Sequence, residues 1–429
     1  MNAPIANSQT PEKKRLAMFT GTYRPDAKVA RFLVVLVLTG VAYGLYRGIQ
    51  DNYFAEIIHI SPFERGIVEF FRETPGLLVV LILALMYKHT DSRIFKIGIA
   101  IMTGGIAGLF LTSLNPFLMT KFTVVLFAVF FSFGEHIIMP VRTTISLDLA
   151  KREKAGVSLG ITTSINQLGH IAGFIMVTAL FFILNKKGFM RTDILGYKIT
   201  FGLSVALMVG STMVVLALRE TTLKSNRRRF YFSRKFVKYY MLEVFYGARK
   251  QIFITFAPYV LILYYGADPS IMSLLYAVCA GFGILCGPLV GKIIDKLGYK
   301  VIMVGDTLIL IVVCVFYGFA HRMFTHNVAF IVVCINFVLD SIISMGSMAA
   351  NVYVQRIAAN QEEITATLST GISVNHIISI FIALMGGWIW KVTGIEVLFT
   401  LSAIMGILNS IYAATIKKSE EYTEGSTAQ

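Results

Sequence analysis

Charged side chains interrupt several long apolar stretches of this sequence, at spacings that place them on shared helix faces. Arg47 and Asp51 are one helical turn apart, and Glu135 and Arg142 are two turns apart, so each pair lies on one face of a helix. Arg249 occupies the middle of another apolar stretch. A charged residue that faces lipid at the centre of a spanning helix costs about 2.5–3.5 kcal/mol. These side chains are therefore expected to face one another or a water-filled cavity.

Further polar residues follow the helical period in other apolar stretches. They are Glu69, Arg72 and Glu73 in the second stretch, Asn166 and His170 in the fifth, Tyr246 in the seventh, Asp340 in the tenth and His376 in the eleventh. Glu135 and Asp340 are predicted to carry protons, because desolvation disfavours the charged form of a carboxyl group. A role in proton coupling or gating is also predicted for Asp51, Glu69, Arg72, Glu73, Arg142 and His376.

The composition indicates what kind of scaffold holds these residues. Of the 429 residues, 56% are hydrophobic and 15% are charged, and the mean hydropathy is +0.70. A soluble domain has about 45–50% apolar and about 25% charged residues, so a soluble enzyme, a disordered protein and a DNA-binding module are excluded. The apolar residues form unbroken runs rather than the alternation of a β-barrel. The predicted fold class is an all-α integral membrane protein.

Twelve apolar stretches are long enough to cross a hydrocarbon core of about 30 Å. They lie near residues 32–58, 62–88, 94–114, 117–146, 156–184, 196–218, 236–265, 269–290, 300–320, 327–351, 362–390 and 394–416. Residues 219–235 form a predicted basic linker between two six-helix bundles, 32–218 and 236–416, and residues 1–31 and 417–429 form the predicted tails.

The distribution of lysine and arginine predicts the orientation of these stretches. With the N-terminus inside, 26 of the 39 cationic residues fall on the cytoplasmic side and eight on the opposite side. The eight are Arg65, Lys121, Lys186, Lys187, Arg191, Lys198, Arg322 and Lys391. Because cytoplasmic loops are enriched in positive charge, both termini are expected in the cytoplasm.

The two halves of the chain repeat several features at a similar offset. Ser61-Pro62 and Asp268-Pro269 each place a capping residue and a proline at a predicted helix start, a pattern that favours helix initiation. His170 and His376 occupy comparable positions in the fifth and eleventh stretches. Two related six-helix bundles are typical of secondary transporters.

A short motif follows the eighth stretch, with the residues Gly291, Asp295, Lys296, Gly298 and Lys300. It resembles the signature loop of the major facilitator superfamily. The corresponding loop after the second stretch keeps Asp91 and Arg93 but lacks the glycines. The resemblance extends over roughly residues 31–416. It implies two pseudo-symmetric six-helix bundles and transport by alternating access.

A narrower resemblance concerns the predicted substrate site. Tyr43-Gly-Leu-Tyr-Arg47, Arg249 and Gln167-Leu-Gly-His170 are similar to the organic-phosphate/phosphate antiporter branch of the superfamily. That resemblance implies that Arg47, Arg249 and His170 bind the substrate. Tyr43, Tyr246 and Asn166 are predicted to line the same site. A guanidinium group offers two parallel donors to a phosphate or carboxylate, so a small organic or phosphorylated anion is the expected substrate.

Negative charge near this site keeps a second transport function open. Asp51, Glu69 and Glu73 depart from the antiporter pattern and favour proton-coupled efflux of amphipathic or cationic compounds. A third alternative is a membrane sensor that does not transport. No ATP-binding motif occurs, the four cysteines show no metal-ligand spacing, and no enzyme, cofactor or metal is predicted.

The expected partners follow from the predicted membrane location. They are a small-molecule substrate, a proton or counter-anion, and the lipid bilayer, without nucleic acid. The chain is expected to act as a monomer in the bacterial cytoplasmic (inner) membrane.

Overall fold

The computed structural model describes residues 21–23, 27–86, 88–189, 193–218 and 232–416. Most of the predicted linker and both predicted tails, apart from residues 21–23 and 27–31, lie outside these ranges. Twelve long helices occupy the described residues, in the order α1 Ala27–Asn52, α2 Pro62–Leu85, α3 Asp91–Leu114, α4 Lys121–Leu149, α5 Ala155–Lys186, α6 Ile194–Leu216, α7 Val237–Tyr265, α8 Pro269–Leu297, α9 Tyr299–Met323, α10 His326–Ile357, α11 Gln361–Thr393 and α12 Ile395–Ala414.

Two of these helices contain irregular turns. A π-helical segment, Tyr53–Ile57, extends α1, and a 3-10 turn at Ser344–Ser347 interrupts α10. Segments of this kind often occur where a helix serves a functional site.

Ten of the twelve helices are long and apolar enough to cross a membrane. The other two, α2 and α7, carry polar and charged side chains in their interior, among them Arg72 in α2 and Arg249 in α7. The predicted all-α membrane fold class is confirmed. That α2 and α7 also cross the membrane stays a prediction, because their composition is not apolar enough to indicate a membrane span.

The predicted helix starts of α2 and α8 are present. The Ser61 hydroxyl accepts a hydrogen bond from the backbone N–H of Glu64, whose carboxylate accepts one from the backbone N–H of Ser61. Asp268 accepts a hydrogen bond from the backbone N–H of Ile271 at 2.9 Å. In both cases a proline follows at the first helical position, where its missing N–H costs nothing.

Helices α1–α6 are called here the N-terminal half and helices α7–α12 the C-terminal half. In the first, α1 packs on α5 and α6; in the second, α7 packs on α11 and α9 on α12. The backbones of α1 and α5 are close because Gly44 has no side chain: a Cβ there would lie 2.3 Å from the His170 carbonyl oxygen. This approach places Tyr43 and His170 next to each other.

The two halves meet at the end of the molecule that carries the α1–α2 and α7–α8 turns. The main contacts join α2 with α11 and α5 with α8. The Asn52 side chain donates to the Ala267 carbonyl at 2.8 Å, and Asn185 donates to the Asp268 carboxylate at 2.6 Å. This end, called here the closed end, is therefore held by hydrogen bonds between the halves.

The opposite end of the interface is more open. Gly283, Gly287 and Gly291 follow one another at one-turn spacing in the second half of α8, and a Cβ on any of them would meet no atom of the described residues within 4 Å. The same holds for Gly156 and Gly160 at the start of α5. We call this the open end.

Candidate functional site

Arg47 lies in the last third of α1 and is paired with an acid on its own helix. Its Nη1 atom is 3.0 Å from Asp51 Oδ2 and donates to Gln50 Oε1 at 3.1 Å. The guanidinium group also lies over the Tyr276 ring of α8, 5.1 Å from the centroid, a distance at which a cation and a ring attract each other. The predicted Arg47–Asp51 face is therefore present, and it contacts the other half of the protein.

Asp51 connects three elements. Its Oδ1 atom accepts from Arg65 Nη2 of α2 at 3.2 Å, and its Oδ2 atom accepts from the Tyr276 hydroxyl of α8 at 2.6 Å. Asp51 is 2% exposed, and a buried charge is tolerated only when it is paired and hydrogen-bonded. Asp51 thus connects the two halves through its hydrogen bond to Tyr276.

The acids and bases of α2 continue this arrangement. Arg65 is 2.6 Å from Glu69, Glu69 is 2.5 Å from Arg72, and Arg72 is 2.8 Å from Glu73. Together with Arg47 and Asp51 they form an alternating series, here called the charge chain, whose six formal charges cancel. The members of the charge chain are Arg47, Asp51, Arg65, Glu69, Arg72 and Glu73.

The prediction that Arg65 lies among the cations of the outer loops is wrong. Arg65 is completely buried, one turn into α2, and lies between the Phe54 and Tyr259 rings. Its neighbours Asp51 and Glu69 explain the difference, because two carboxylates compensate the burial of one guanidinium group.

The charge chain ends at a histidine of the other half. Glu73 Oε2 is 3.0 Å from His376 Nδ1 on α11. The His376 ring stands nearly perpendicular to that of His136 on α4, with 5.4 Å between centroids. His136 Nδ1 lies 2.8 Å from the Ser132 carbonyl oxygen. The sequence analysis did not include His136, although Ser132 and His136 are one turn apart in α4.

The predicted ligands of the N-terminal half are close together. Tyr43 stacks on His170 with 4.5 Å between ring centroids, and His170 Nε2 is 3.0 Å from Asn166 Nδ2. Glu135 lies beside the Tyr43 hydroxyl, and Arg142 lies near Glu135 and His170. Two stacked aromatic rings, an amide and two opposite charges therefore lie close together in the N-terminal half.

Arg249 is also paired with a carboxylate. Its Nη1 atom is 3.0 Å from Asp306 Oδ2 on α9, whereas its Nη2 atom is buried without a hydrogen-bond partner among the described residues. Asp340 Oδ1 is likewise buried and unpartnered there. Tyr246, one turn before Arg249, donates to the Ser344 carbonyl at 3.3 Å. Arg249 and Asp340 thus provide a buried donor and a buried acceptor without partners among the described residues.

The sequence analysis missed Asp306 and Tyr276. Asp306 interrupts the ninth apolar stretch, so the rule applied to the other stretches would have found it. Tyr276 carried no comparable signal, because tyrosine is common in such stretches and its Asp51 partner is 225 residues away.

The two copies of the signature loop have different environments. In the second copy Gly298 has φ +84°, which favours glycine, and Lys300 donates to the Ile416 carbonyl at 2.7 Å. Asp295 is exposed there. In the first copy Asp91 is 4% exposed, and the Arg93 backbone N–H donates to Thr90. Gly291 and Lys296 lie on the last turns of α8, at the open end.

The geometry has features that a solute carrier requires. Arg47 of α1 and Arg249 of α7 lie in separate halves, each beside a carboxylate, and the region between them is called here the cleft. The site contains donors and acceptors for a polar solute. The charge chain connects it to the contact between α2 and α11.

Solved transporter structures share this fold at low sequence identity. The nucleoside transporter NupG is 11% identical with a TM-score of 0.69, over 91% of this chain and 100% of that chain. A D-xylose–proton symporter is 14% identical with a TM-score of 0.68, over 91% and 98%. A bacterial homologue of the human lysosomal transporter Spinster, inward-facing and occupied, is 14% identical with a TM-score of 0.66, over 97% and 100%.

No curated protein matches the sequence. The family model described as Major Facilitator Superfamily matches residues 32–374 and 239–428, which together span nearly the whole chain. The twelve described helices, the signature loop and the fold of the similar transporters agree with that match. The chain belongs to the major facilitator superfamily, a family of membrane transporters.

Proposed function

We propose that the protein is a proton-coupled carrier of a small organic or phosphorylated anion. The observation that carries this proposal is that Arg47 and Arg249 are each paired with a carboxylate and still have free N–H donors. Each arginine is held by a carboxylate through its Nη1 atom, and Arg249 Nη2 is buried without a partner among the described residues. A guanidinium group has five N–H donors, so each arginine retains donors for a second, anionic partner.

The balance of charge favours coupling to protons. Arg47 is neutralised by Asp51 and Arg249 by Asp306, so the two arginines add no net positive charge to the cleft. A bound anion would add an uncompensated charge to a poorly hydrated site, which is costly. Uptake of one proton by Glu135 or Asp340 would remove that cost. Substrate and proton would then enter and leave together.

The similar folds are compatible with this mechanism. One of them belongs to a D-xylose–proton symporter, so the same architecture accommodates proton coupling. Another is described as inward-facing and occupied. We further propose that the protein acts as a monomer in the bacterial cytoplasmic membrane with both termini in the cytoplasm. The open end would then face the cytoplasm.

A second candidate function is proton-coupled efflux of cationic or amphipathic compounds. The Asp340 oxygen that has no partner among the described residues favours it, because a buried carboxylate is stabilised by pairing with a cation. The stacked rings of Tyr43 and His170 would suit an aromatic or amphipathic substrate. The two candidates differ in the charge of the compound that binds.

Ligand-induced stabilisation of the purified protein separates the two candidates. Organic phosphates, carboxylates and cationic compounds would each be tested on the wild type, Arg47→Gln, Arg249→Gln and the control Arg322→Gln, which changes an exposed arginine. A compound at about 100 times its dissociation constant adds about 2.7 kcal/mol of stability.

The anion proposal predicts that anions stabilise the wild type and Arg322→Gln but neither cleft variant. Stabilisation by cations alone would favour the second candidate and overturn the first. Equal stabilisation of all four proteins by an anion would contradict the assigned site.

A further inference from the structure

We propose that Glu73, His136 and His376 form a binding site for a divalent transition metal ion such as Zn²⁺. One potential ligand atom from each residue lies within 4.8 Å of the other two. The three residues come from α2, α4 and α11, so they belong to both halves of the protein. This site is separate from the proposed anion site and does not depend on it.

The hydrogen bonds of His136 leave one ring nitrogen free to bind a metal. Its Nδ1 atom is 2.8 Å from the Ser132 carbonyl oxygen. A carbonyl oxygen only accepts hydrogen bonds, so Nδ1 carries the proton and Nε2 carries a lone pair. A metal-binding histidine is commonly oriented in this way, by donation from its other nitrogen to a carbonyl group.

Gly76 provides the space between the two imidazole rings. A Cβ at this position would lie 2.8 Å from His136 Nε2 and 2.8 Å from His376 Cε1. Gly76 is one turn after Arg72 and faces both histidines. Any side chain here would therefore occupy the volume in which a metal ion would sit.

The carboxylate of Glu73 is divided between two partners. Its Oε1 atom pairs with Arg72 at 2.8 Å, and its Oε2 atom is 3.0 Å from His376 Nδ1. A metal ion would replace the second contact with two coordinate bonds. The charge of Arg72 does not oppose this strongly, because Glu69 binds the same guanidinium group through two oxygens.

The type of ligand determines the class of metal. Two imidazoles and one carboxylate are a ligand set used for Zn²⁺, with a fourth position open to water. Imidazole nitrogen favours zinc, copper, nickel and iron, whereas magnesium and calcium prefer sites made of oxygen. The proposed site should therefore discriminate strongly between Zn²⁺ and Mg²⁺.

A metal in this position would connect the two halves. Glu73 and His136 belong to the N-terminal half, and His376 belongs to the C-terminal half. A ligand that binds only one arrangement of the halves shifts the protein toward that arrangement. The bound ion would therefore stabilise the arrangement seen here, in which α2 and α11 are in contact.

The test is metal binding to the purified full-length protein without a histidine tag. Zn²⁺ and Mg²⁺ would be titrated by calorimetry into the wild type, His136→Gln, His376→Gln and Glu73→Gln. His326→Gln serves as the matched control, because His326 is exposed at the start of α10. Zn²⁺ should bind the wild type and His326→Gln equally, and each site variant at least about tenfold more weakly. Mg²⁺ should bind none of them measurably.

A second set of measurements leaves the three proposed metal ligands unchanged. X-ray absorption at the zinc edge of the wild type should report two imidazole nitrogens and additional oxygen ligands. Gly76→Ala should weaken Zn²⁺ binding while all three ligands remain. An environment of oxygen atoms only, or Zn²⁺ affinity unchanged in His136→Gln and His376→Gln, would overturn the proposed site.

Discussion

At the scale of single residues, burial separates two kinds of ion pair in this protein. Arg65 is completely buried and contacts both Asp51 and Glu69. Lys121 pairs with Glu64 at 2.7 Å, but both side chains are more than a third exposed. Removal of one partner from a buried pair strongly destabilises the folded protein. An exposed pair contributes only about 0–1 kcal/mol to its stability.

We expect Arg65→Met to lower the free energy of unfolding by about 3–5 kcal/mol, because it leaves two buried carboxylates without their shared cation. Lys121→Met should lower it by less than about 1 kcal/mol. Chemical denaturation of both variants in the same detergent measures the difference. Equal effects would show that the charge chain is not a buried network.

Substitution of Asp306 tests the role of Arg249, the second arginine of the proposed site. Asp306→Asn should leave Arg249 charged but without its acid, which costs about 1–3 kcal/mol of stability. The freed guanidinium group should at the same time bind anions more tightly. Asp295→Asn, which changes an exposed acid of the same half, is the matched control. Denaturation and anion titration measure both effects, and an unchanged anion affinity would contradict a substrate role for Arg249.

Local spacing predicted part of this site and could not predict the rest. Arg47 and Asp51 are one turn apart, so helical geometry alone places them together. Glu73 and His376 are 303 residues apart, and Arg249 and Asp306 are 57 apart on different helices. Those contacts depend on how the helices pack, which no local pattern specifies. Tyr276 was missed for the same reason, whereas the one-turn spacing of Ser132 and His136 was a local signal that was not used.

At the scale of helices, glycines set how closely the elements approach. Gly44 brings α1 against the α5 backbone, where a Cβ would lie 2.3 Å from the His170 carbonyl oxygen. A Cβ on Gly160 of α5, in contrast, would have no atom of the described residues within 4 Å. Backbone atoms cannot move aside as a flexible side chain can, so the two glycines should respond differently to a methyl group.

Gly44→Ala should destabilise the protein by about 1–3 kcal/mol, because it forces α1 away from α5. Gly160→Ala should be neutral or stabilise by up to about 1 kcal/mol, since alanine favours the helix. Thermal unfolding of the two variants measures this contrast in sign. A loss of stability in Gly160→Ala that equals the loss in Gly44→Ala would refute the predicted close approach.

The helices themselves were largely predictable from the sequence. The apolar stretches and the Ser61 and Asp268 caps mark where α2 and α8 begin, because these signals are local. The interior of α2 was harder to interpret, since charge there is expected in a loop or a cavity. Its pairing with Asp51 of α1 and His376 of α11 explains why a charged helix can occupy this position.

At the scale of the whole molecule, hydrogen bonds join the two halves at the closed end. Asn185 and Asp268 are hydrogen-bonded across the closed end, whereas Gly160 and Gly287 lie toward the open end with free space around them. Alternating access requires that the closed end opens during each cycle.

A disulfide should form between Asn185→Cys and Asp268→Cys after mild oxidation, in a protein whose four native cysteines are replaced. It should abolish transport, and a reducing agent should restore it, because the bond prevents the closed end from opening. The pair Gly160→Cys and Gly287→Cys should remain reduced under the same conditions. Full transport with the first disulfide formed would contradict movement at this end.

The central claim is that an anion and a proton share one carrier cycle that requires both arginines. The most direct measurement is uptake of a radiolabelled anion, chosen by the stabilisation experiment, into proteoliposomes with an imposed pH gradient. We predict that the gradient drives accumulation of the anion by the wild type and by Arg322→Gln. Arg47→Gln and Arg249→Gln should lose this accumulation. Uptake that ignores the pH gradient, or that persists in both cleft variants, would contradict the proposed function.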